Sequence, residues 1–219
     1  MGNINSINQK NIPRLLNFGA FDFAKIPINK HKELTNNIVK TLMSEIINWC
    51  KENIKGYNVS FEIDENKNLI ITGNCYINDP TLTKLPYKIH KVIGNFSVCG
   101  GLDDPRVMHL QTLENFPRIV TGNFNIGSNV DLTSLVGGPE EVGGYYRCSY
   151  CKIKSMDGIA KKVGSYISAF SNPLVDIKAL DESTFTYVDL EFCDGIMDSS
   201  TYKRLNESNR IYRRITYPY

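Results

Sequence analysis

Three groups of residues in this chain have side chains and spacings suited to chemistry. Cys148-x-x-Cys151 is the one close pair among six cysteines, and such a pair can hold zinc or cycle between thiol and disulfide. A structural zinc site wants a second pair or well-placed histidines, and His31, His90 and His109 are not so placed. Asp103-Asp104, with Arg106 and His109, is the second group. Adjacent carboxylates can take a hard cation or serve acid–base work. The third is a basic tail in which Lys203, Arg204, Arg210, Arg213 and Arg214 interleave with Tyr202, Tyr212, Tyr217 and Tyr219. Arginine among aromatics suits contact with a nucleic acid, and equally a solvated terminal helix. The chain has no phosphate-binding lysine loop, no G-x-S-x-G, no H-E-x-x-H and no dinucleotide fingerprint. No catalytic residue, metal ligand or cofactor is therefore assigned, and the chain reads as a non-enzyme.

The elements that would position these groups form a repeat. A V-x-G-x-F-x-V pattern, a polar turn and an L-x-x-L pair recur from Ile71 to about Phe192. With the glycine as register mark, the copies fall at Gly73, Gly94, Gly122 and Gly144, then Ser165 and Val188, in steps of 21, 28, 22, 21 and 23 residues. Two residues after the mark come Cys75, Phe96, Phe124, Tyr146, Ile167 and Leu190. Alternating apolar positions make a strand with one buried face, and a period of this length makes a solenoid. The pairs Leu82/Leu85, Leu110/Leu113, Leu132/Leu135, Ile153/Met156 and Leu174/Ile177 return the chain to the same core, because one repeat cannot bury its apolar face alone. Cys148 falls on an inward ladder position with Ile126 and Ala169, where a thiol acts as a small apolar residue. Asn129 and Asn172 are expected in the polar turns.

Leu132 to Cys151, L-T-S-L-V-G-G-P-E-E-V-G-G-Y-Y-R-C-S-Y-C, resembles the leucine-rich-repeat-like unit of tailed-phage proteins, roughly L-x-S-L-x-G-x-P-x-x-V-x-G-x-F-x-C. The resemblance covers about 120 residues in the register of the repeat. It implies a β-solenoid with short turns and no activity of its own. It also implies a phage-encoded protein acting on a host protein, in takeover or counter-defence, in the host cytoplasm. A virion or assembly component and a nucleic-acid-binding accessory protein using the basic tail are the alternatives.

The expected fold is mainly β: a single-handed solenoid of about six coils of 21–23 residues, with helical caps at both ends. Residues 1–68 form the N-terminal segment and amphipathic helix cap, residues 69–195 the solenoid, and residues 196–219 the short C-terminal helical cap and tail. His31 to Ile54 has helical apolar spacing. Asn58–Ile63 and Leu69–Thr72 read as a hairpin leading into the first coil. A chain 42% hydrophobic with net charge +2 can bury a core and has no global field drawing it to nucleic acid or membrane. No apolar run approaches a membrane span, so a soluble, cytoplasmic protein with reduced thiols is expected.

A rigid sheet face suits protein binding. The outward strand positions are Tyr76, Tyr145, Arg147, Tyr166, Asp189 and Glu191, among neutral residues that include Ser168. Asp103, Asp104 and Arg106 occupy the longest inter-mark segment, and insertions in solenoids lie on one face. Tyrosine and arginine concentrate at binding hot spots, which makes this face the expected site for a protein partner.

Overall fold

The computed structural model describes residues 28–99 and 107–212, with side chains from residue 36. The chain divides into two compact units, one ending at Leu42 and one running from Met43 onward. The helix α1 (Ile28–Asn53) spans this division. Within the second unit, its last turns place Ile46, Ile47, Trp49 and Cys50 against the apolar core, and Trp49 meets Tyr87 edge-on at 5.9 Å. The strand β1 (Lys55–Ile63) then pairs antiparallel with β2 (Leu69–Ile77). Their tight turn is held by Asp64, which accepts the Asn68 backbone N–H at 2.8 Å. Gly56 lies in β1, where a Cβ would sit 2.0 Å from the Asn74 carbonyl.

From β2 onward the chain is a β-solenoid of about five turns. Six register marks bound five turns, which accounts for one coil fewer than the sequence pattern suggested. Each V-x-G-x-F-x-V stretch was expected to be one strand, and only in the first coil is it continuous. In the later coils the mark is a corner that splits it in two. The strands before the corner are β3 (Ile89–Ile93), β5 (Ile119–Val120), β7 (Glu141–Val142) and β9 (Lys162–Val163). Those after it are β4 (Phe96–Val98), β6 (Phe124–Asn125), β8 (Tyr146–Arg147), β10 (Ile167–Ser168) and β11 (Val188–Asp189). Two parallel ladders therefore diverge from β2, one through β3, β5, β7 and β9, the other through β4, β6, β8, β10 and β11. The L-x-x-L segments form a third side joined by single parallel bridges such as Met108 to Asn129.

The core is a set of columns running along the coils. Phe96, Phe124 and Tyr146 are fully buried in one of them. Phe96 stacks on Phe124 at 6.3 Å, and Tyr146 meets Phe124 edge-on at 4.9 Å. Phe116, which the repeat pattern did not single out, packs edge-on against both phenylalanines. The Tyr146 hydroxyl is buried and has no hydrogen-bond partner among the described residues.

The polar turn is a core device rather than a solvated loop. In four successive coils one residue adopts a left-handed backbone: Ser128, Tyr150, Ser171 and Phe192. The residue after it points inward and is, in order, Asn129, Cys151, Asn172 and Cys193. Asn129 donates through Nδ2 to the carbonyls of Val98 and Ile126, both at 2.8 Å, and accepts the Leu110 N–H at 3.2 Å. Asn172 repeats this set with Cys148, Ala169 and Ile153. In the alternate coils the thiols of Cys151 and Cys193 lie against the carbonyls of Ile126 and Ala169 at 3.5 and 3.4 Å. Buried backbone groups need partners, and a carboxamide serves three at once.

At the other end α2 (Ser200–Glu207) is capped by Ser199, which accepts the Tyr202 N–H, and it buries Thr201 and Leu205. Beyond it, Ile211 forms a parallel bridge with Val188 and extends the outer ladder by one step.

Two substitutions should move stability in opposite directions. Asn129→Ala strands three buried backbone groups and should cost at least about 2 kcal/mol. Tyr146→Phe removes an unpaired buried hydroxyl and should leave stability unchanged or raise it by up to about 1 kcal/mol. Thermal unfolding read by circular dichroism checks both. A Tyr146→Phe protein that melts several degrees lower would show that the hydroxyl has a structural role.

Candidate interaction face

The outward side of the β4–β6–β8–β10–β11 ladder is built from two columns. The first lies one residue after each corner. In its opening half, Asn74 Oδ1 accepts the Asn95 N–H at 3.1 Å, Asn95 Oδ1 accepts the Asn123 N–H at 2.7 Å, and Asn123 Oδ1 accepts the Tyr145 N–H at 3.0 Å. Each carboxamide thus spans one coil-to-coil step and is fixed in orientation. At Tyr145 the column changes character. Tyr145 stacks on Tyr166 at 5.3 Å and Tyr166 on Tyr187 at 5.0 Å with planes 4° apart, and Tyr212 lies tilted against Tyr187 at 5.6 Å.

The change in side chain explains the degenerate corner. A Cβ built on Gly144 would lie 2.0 Å from Asn123 Oδ1, and one on Gly122 would lie 2.4 Å from Asn95 Oδ1. At Gly144 the preceding coil's asparagine fills the space, and at Gly122 the Gly94 carbonyl, 2.7 Å from such a Cβ, fills it as well. Behind Tyr145 no such oxygen exists, and the next corner is Ser165.

The sixth coil corrects the register. Val188 pairs with Ile167, which pairs with Tyr146. Val188 is therefore an inward ladder residue, the corner is Thr186, and Phe192 is exposed in the left-handed turn. Tyr187 consequently joins Tyr145 and Tyr166 in the first column, and Tyr212, opposite Asp189 in the ladder register, leans against its end. Asp189 and Glu191 move two positions further round the coil. Both are half-buried, and Asp189 accepts the Glu191 N–H at 3.1 Å. Tyr76 remains on the outward face, 48% exposed in the first coil.

Arg147 lies in the second column, where its neighbour Asn125 accepts the Gly127 N–H at 3.0 Å. Ser168, expected to face outward to solvent, is buried and within 2.9 Å of the Ser149 hydroxyl. The Arg147 guanidinium sits 5.9 Å from the Phe170 ring. Its Nε is buried, with no acceptor and no carboxylate partner among the described residues. Burial, followed by the neighbouring Tyr166, holds the Tyr145 hydroxyl above its ordinary pKa, and the same two causes raise Tyr187. Both phenols stay protonated and can donate.

The remaining candidates are dispersed. Asp103, Asp104 and Arg106 lie outside the described residues. His109, beyond them, pairs with Asp131 at 2.7 Å, and Lys152 reaches the same carboxylate at 3.7 Å. His109 foremost, with Lys152 behind it, holds the Asp131 carboxyl below its ordinary range. In the C-terminal segment Lys203 is exposed, Arg204 pairs with Asp181, and Arg210 donates to the Phe185 carbonyl while its guanidinium covers the Phe185 ring at 4.0 Å. Arg213 and Arg214 lie outside the described residues. Burial pushes the Cys148 thiol well up and the Cys151 thiol up to about 12. Among the described residues no group of three or more histidine, cysteine or acidic side chains is placed to hold a metal ion, and no helix is long and apolar enough to cross a membrane. No family model, no curated protein and no solved structure matches the chain.

The link between corner and column can be measured. Gly144→Ala should destabilise by about 1–3 kcal/mol through overpacking. Asn123→Ala should cost about 1–3 kcal/mol by stranding the Tyr145 N–H. In the double variant the Asn123 oxygen no longer opposes the new methyl. The combined loss should fall short of the sum by at least about 0.5 kcal/mol in chemical denaturation. Simple additivity would separate corner from column.

Proposed function

We propose that this chain is a non-enzymatic protein-binding module whose partner docks on the outward ladder face through Tyr145, Arg147 and Tyr166. The observation that carries the reading is Arg147. A guanidinium held over Phe170, with a buried Nε and no carboxylate of its own among the described residues, is a charge set to meet one on another molecule. The tyrosines beside it are immobilised by mutual stacking, so ordering them on binding costs little entropy. Their hydroxyls offer donors at the coil spacing, and a partner segment that supplies an acidic side chain to Arg147 satisfies the face. The resemblance to tailed-phage repeats makes a host protein the natural partner, with the chain acting in the host cytoplasm.

The tyrosine column gives the nucleic-acid alternative little support. Base stacking needs an open ring face, and the faces within this column are covered by neighbouring tyrosines 5.0–5.6 Å away. Of the tail cations, Arg204 and Arg210 are already engaged within the chain.

The test is affinity capture from host cells with wild-type bait and with the Tyr145→Ala/Arg147→Ala/Tyr166→Ala variant, followed by titration of the purified partner. Wild type should retain a protein that the triple variant loses, and Arg147→Ala alone should weaken it by about 1–3 kcal/mol with the unfolding midpoint nearly unchanged. A partner held equally by the triple variant would move the site elsewhere.

A further inference from the structure

The outward face carries a second feature at its other end, apart from the tyrosine column. A shallow cleft of about 380 Å³ lies over the first two coils, lined by Asn74, Tyr76, Asn78, Asn95, Ser97 and Cys99. That volume falls within the range of about 300–1,000 Å³ typical of small-ligand sites. The side chains lining it are uncharged.

The donors in it are pre-aimed. Asn74 and Asn95 each commit Oδ1 to the backbone N–H of the next coil. Their orientation is therefore set, and each Nδ2 is left without an acceptor among the described residues. Asn123 repeats the arrangement one coil on, so the row extends past the cleft at the coil spacing of about 4.8 Å. Tyr76 stands beside this row with its ring half exposed. The Cys99 thiol is occupied, 2.9 Å from the Ser97 hydroxyl and 3.2 Å from Asn125 Nδ2, so the cleft presents amide donors and one aromatic ring within a largely apolar exposed surface.

We infer that this cleft binds a neutral, linear oligosaccharide lying along the coils. A charged ligand finds no counter-charge in the lining. A wholly apolar ligand would cover the carboxamide donors and leave them unpaired. A sugar chain supplies hydroxyl acceptors for the Nδ2 groups and an apolar C–H face for Tyr76, and its repeat lets successive units meet successive asparagines. The site is separate from the protein-docking surface and stands or falls independently of it.

The experiment is calorimetric titration of the full chain with neutral glucose-, mannose- and N-acetylglucosamine-based oligosaccharides, from monomer to hexamer. A sialylated and a sulfated glycan and adenosine are titrated alongside. Neutral oligomers should bind, with affinity rising up to about the trimer, the length at which Asn74, Asn95 and Asn123 are all engaged. Tyr76→Ala should weaken binding by about tenfold. Asn95→Asp keeps an oxygen for the Asn123 N–H and replaces the Nδ2 donors with a charged acceptor oxygen. It should weaken binding comparably, with the unfolding midpoint serving as its control. The inference is overturned if no neutral saccharide binds at millimolar concentration, if the charged glycans or adenosine bind in preference, or if Tyr76→Ala and Asn95→Asp both bind like wild type. Capture of a protein through the tyrosine column would be unaffected by any of these results.

Discussion

Parallel coil-on-coil hydrogen bonding is the constraint on which the rest of this structure depends. Backbone bonds such as Phe124 to Tyr145, Tyr146 to Tyr166 and Ile167 to Tyr187 tie each coil to the next. They fix the spacing at about 4.8 Å. Every side chain then has a neighbour of the same register directly above and below it. Choices that would be independent in an ordinary sheet become columns, and a column must be compatible along its length. The inward aromatic column does so by stacking Phe96 on Phe124 and turning Tyr146 edge-on. The outward column does so first with carboxamides that bond backbone and then with phenol rings that bond each other.

That constraint turns apparent degeneracy into rule. Loss of the corner glycine at Ser165 looks like decay of the repeat in a linear reading. In three dimensions it coincides with the replacement of asparagine by Tyr145 in the preceding coil, which removes the oxygen that forbids a Cβ. Alternation of asparagine and cysteine at the buried turn position has a related logic. Asn129 and Asn172 each reach the carbonyl of a residue in the coil below as well as one in their own. The intervening Cys151 and Cys193 place a smaller, weaker donor against the coil below.

Much of the fold was legible because the signals were periodic. The ladder of Phe96, Phe124 and Tyr146 and the paired leucines stood at fixed offsets, and all but the half-buried Leu82 lie in the core. The corner inside each repeat was less legible, since apolar alternation continues smoothly across it and only Gly94, Gly122 and Gly144 mark the bend. The buried role of Asn129 was hidden because an asparagine in a turn usually serves its own backbone alone, whereas this one serves the preceding coil as well. The sixth register slipped by two because Val188, Leu190 and Phe192 alternate as well as the true positions do. Their pairing partners, not their hydrophobicity, decide the assignment. That slip left Tyr187 off the outward column, and Tyr212 was read only as part of the basic tail.

The chemical asymmetry of the outward face follows from the same geometry. A coil that bonds its successor through an asparagine side chain must be followed by a glycine corner, and it leaves an amide donor facing out. A coil that stacks a tyrosine on its successor releases the corner from glycine and leaves a hydroxyl facing out. The face is thus divided at Tyr145 into a carboxamide half and a phenol half, each internally rigid, with Arg147 at the division. Neither half needs a ligand to hold its side chains, because each is held by the coil beside it. Recognition on such a surface is therefore written along the solenoid axis, one coil at a time. What it can recognise is limited to molecules whose own groups recur at, or can bend to, the distance that the backbone sets.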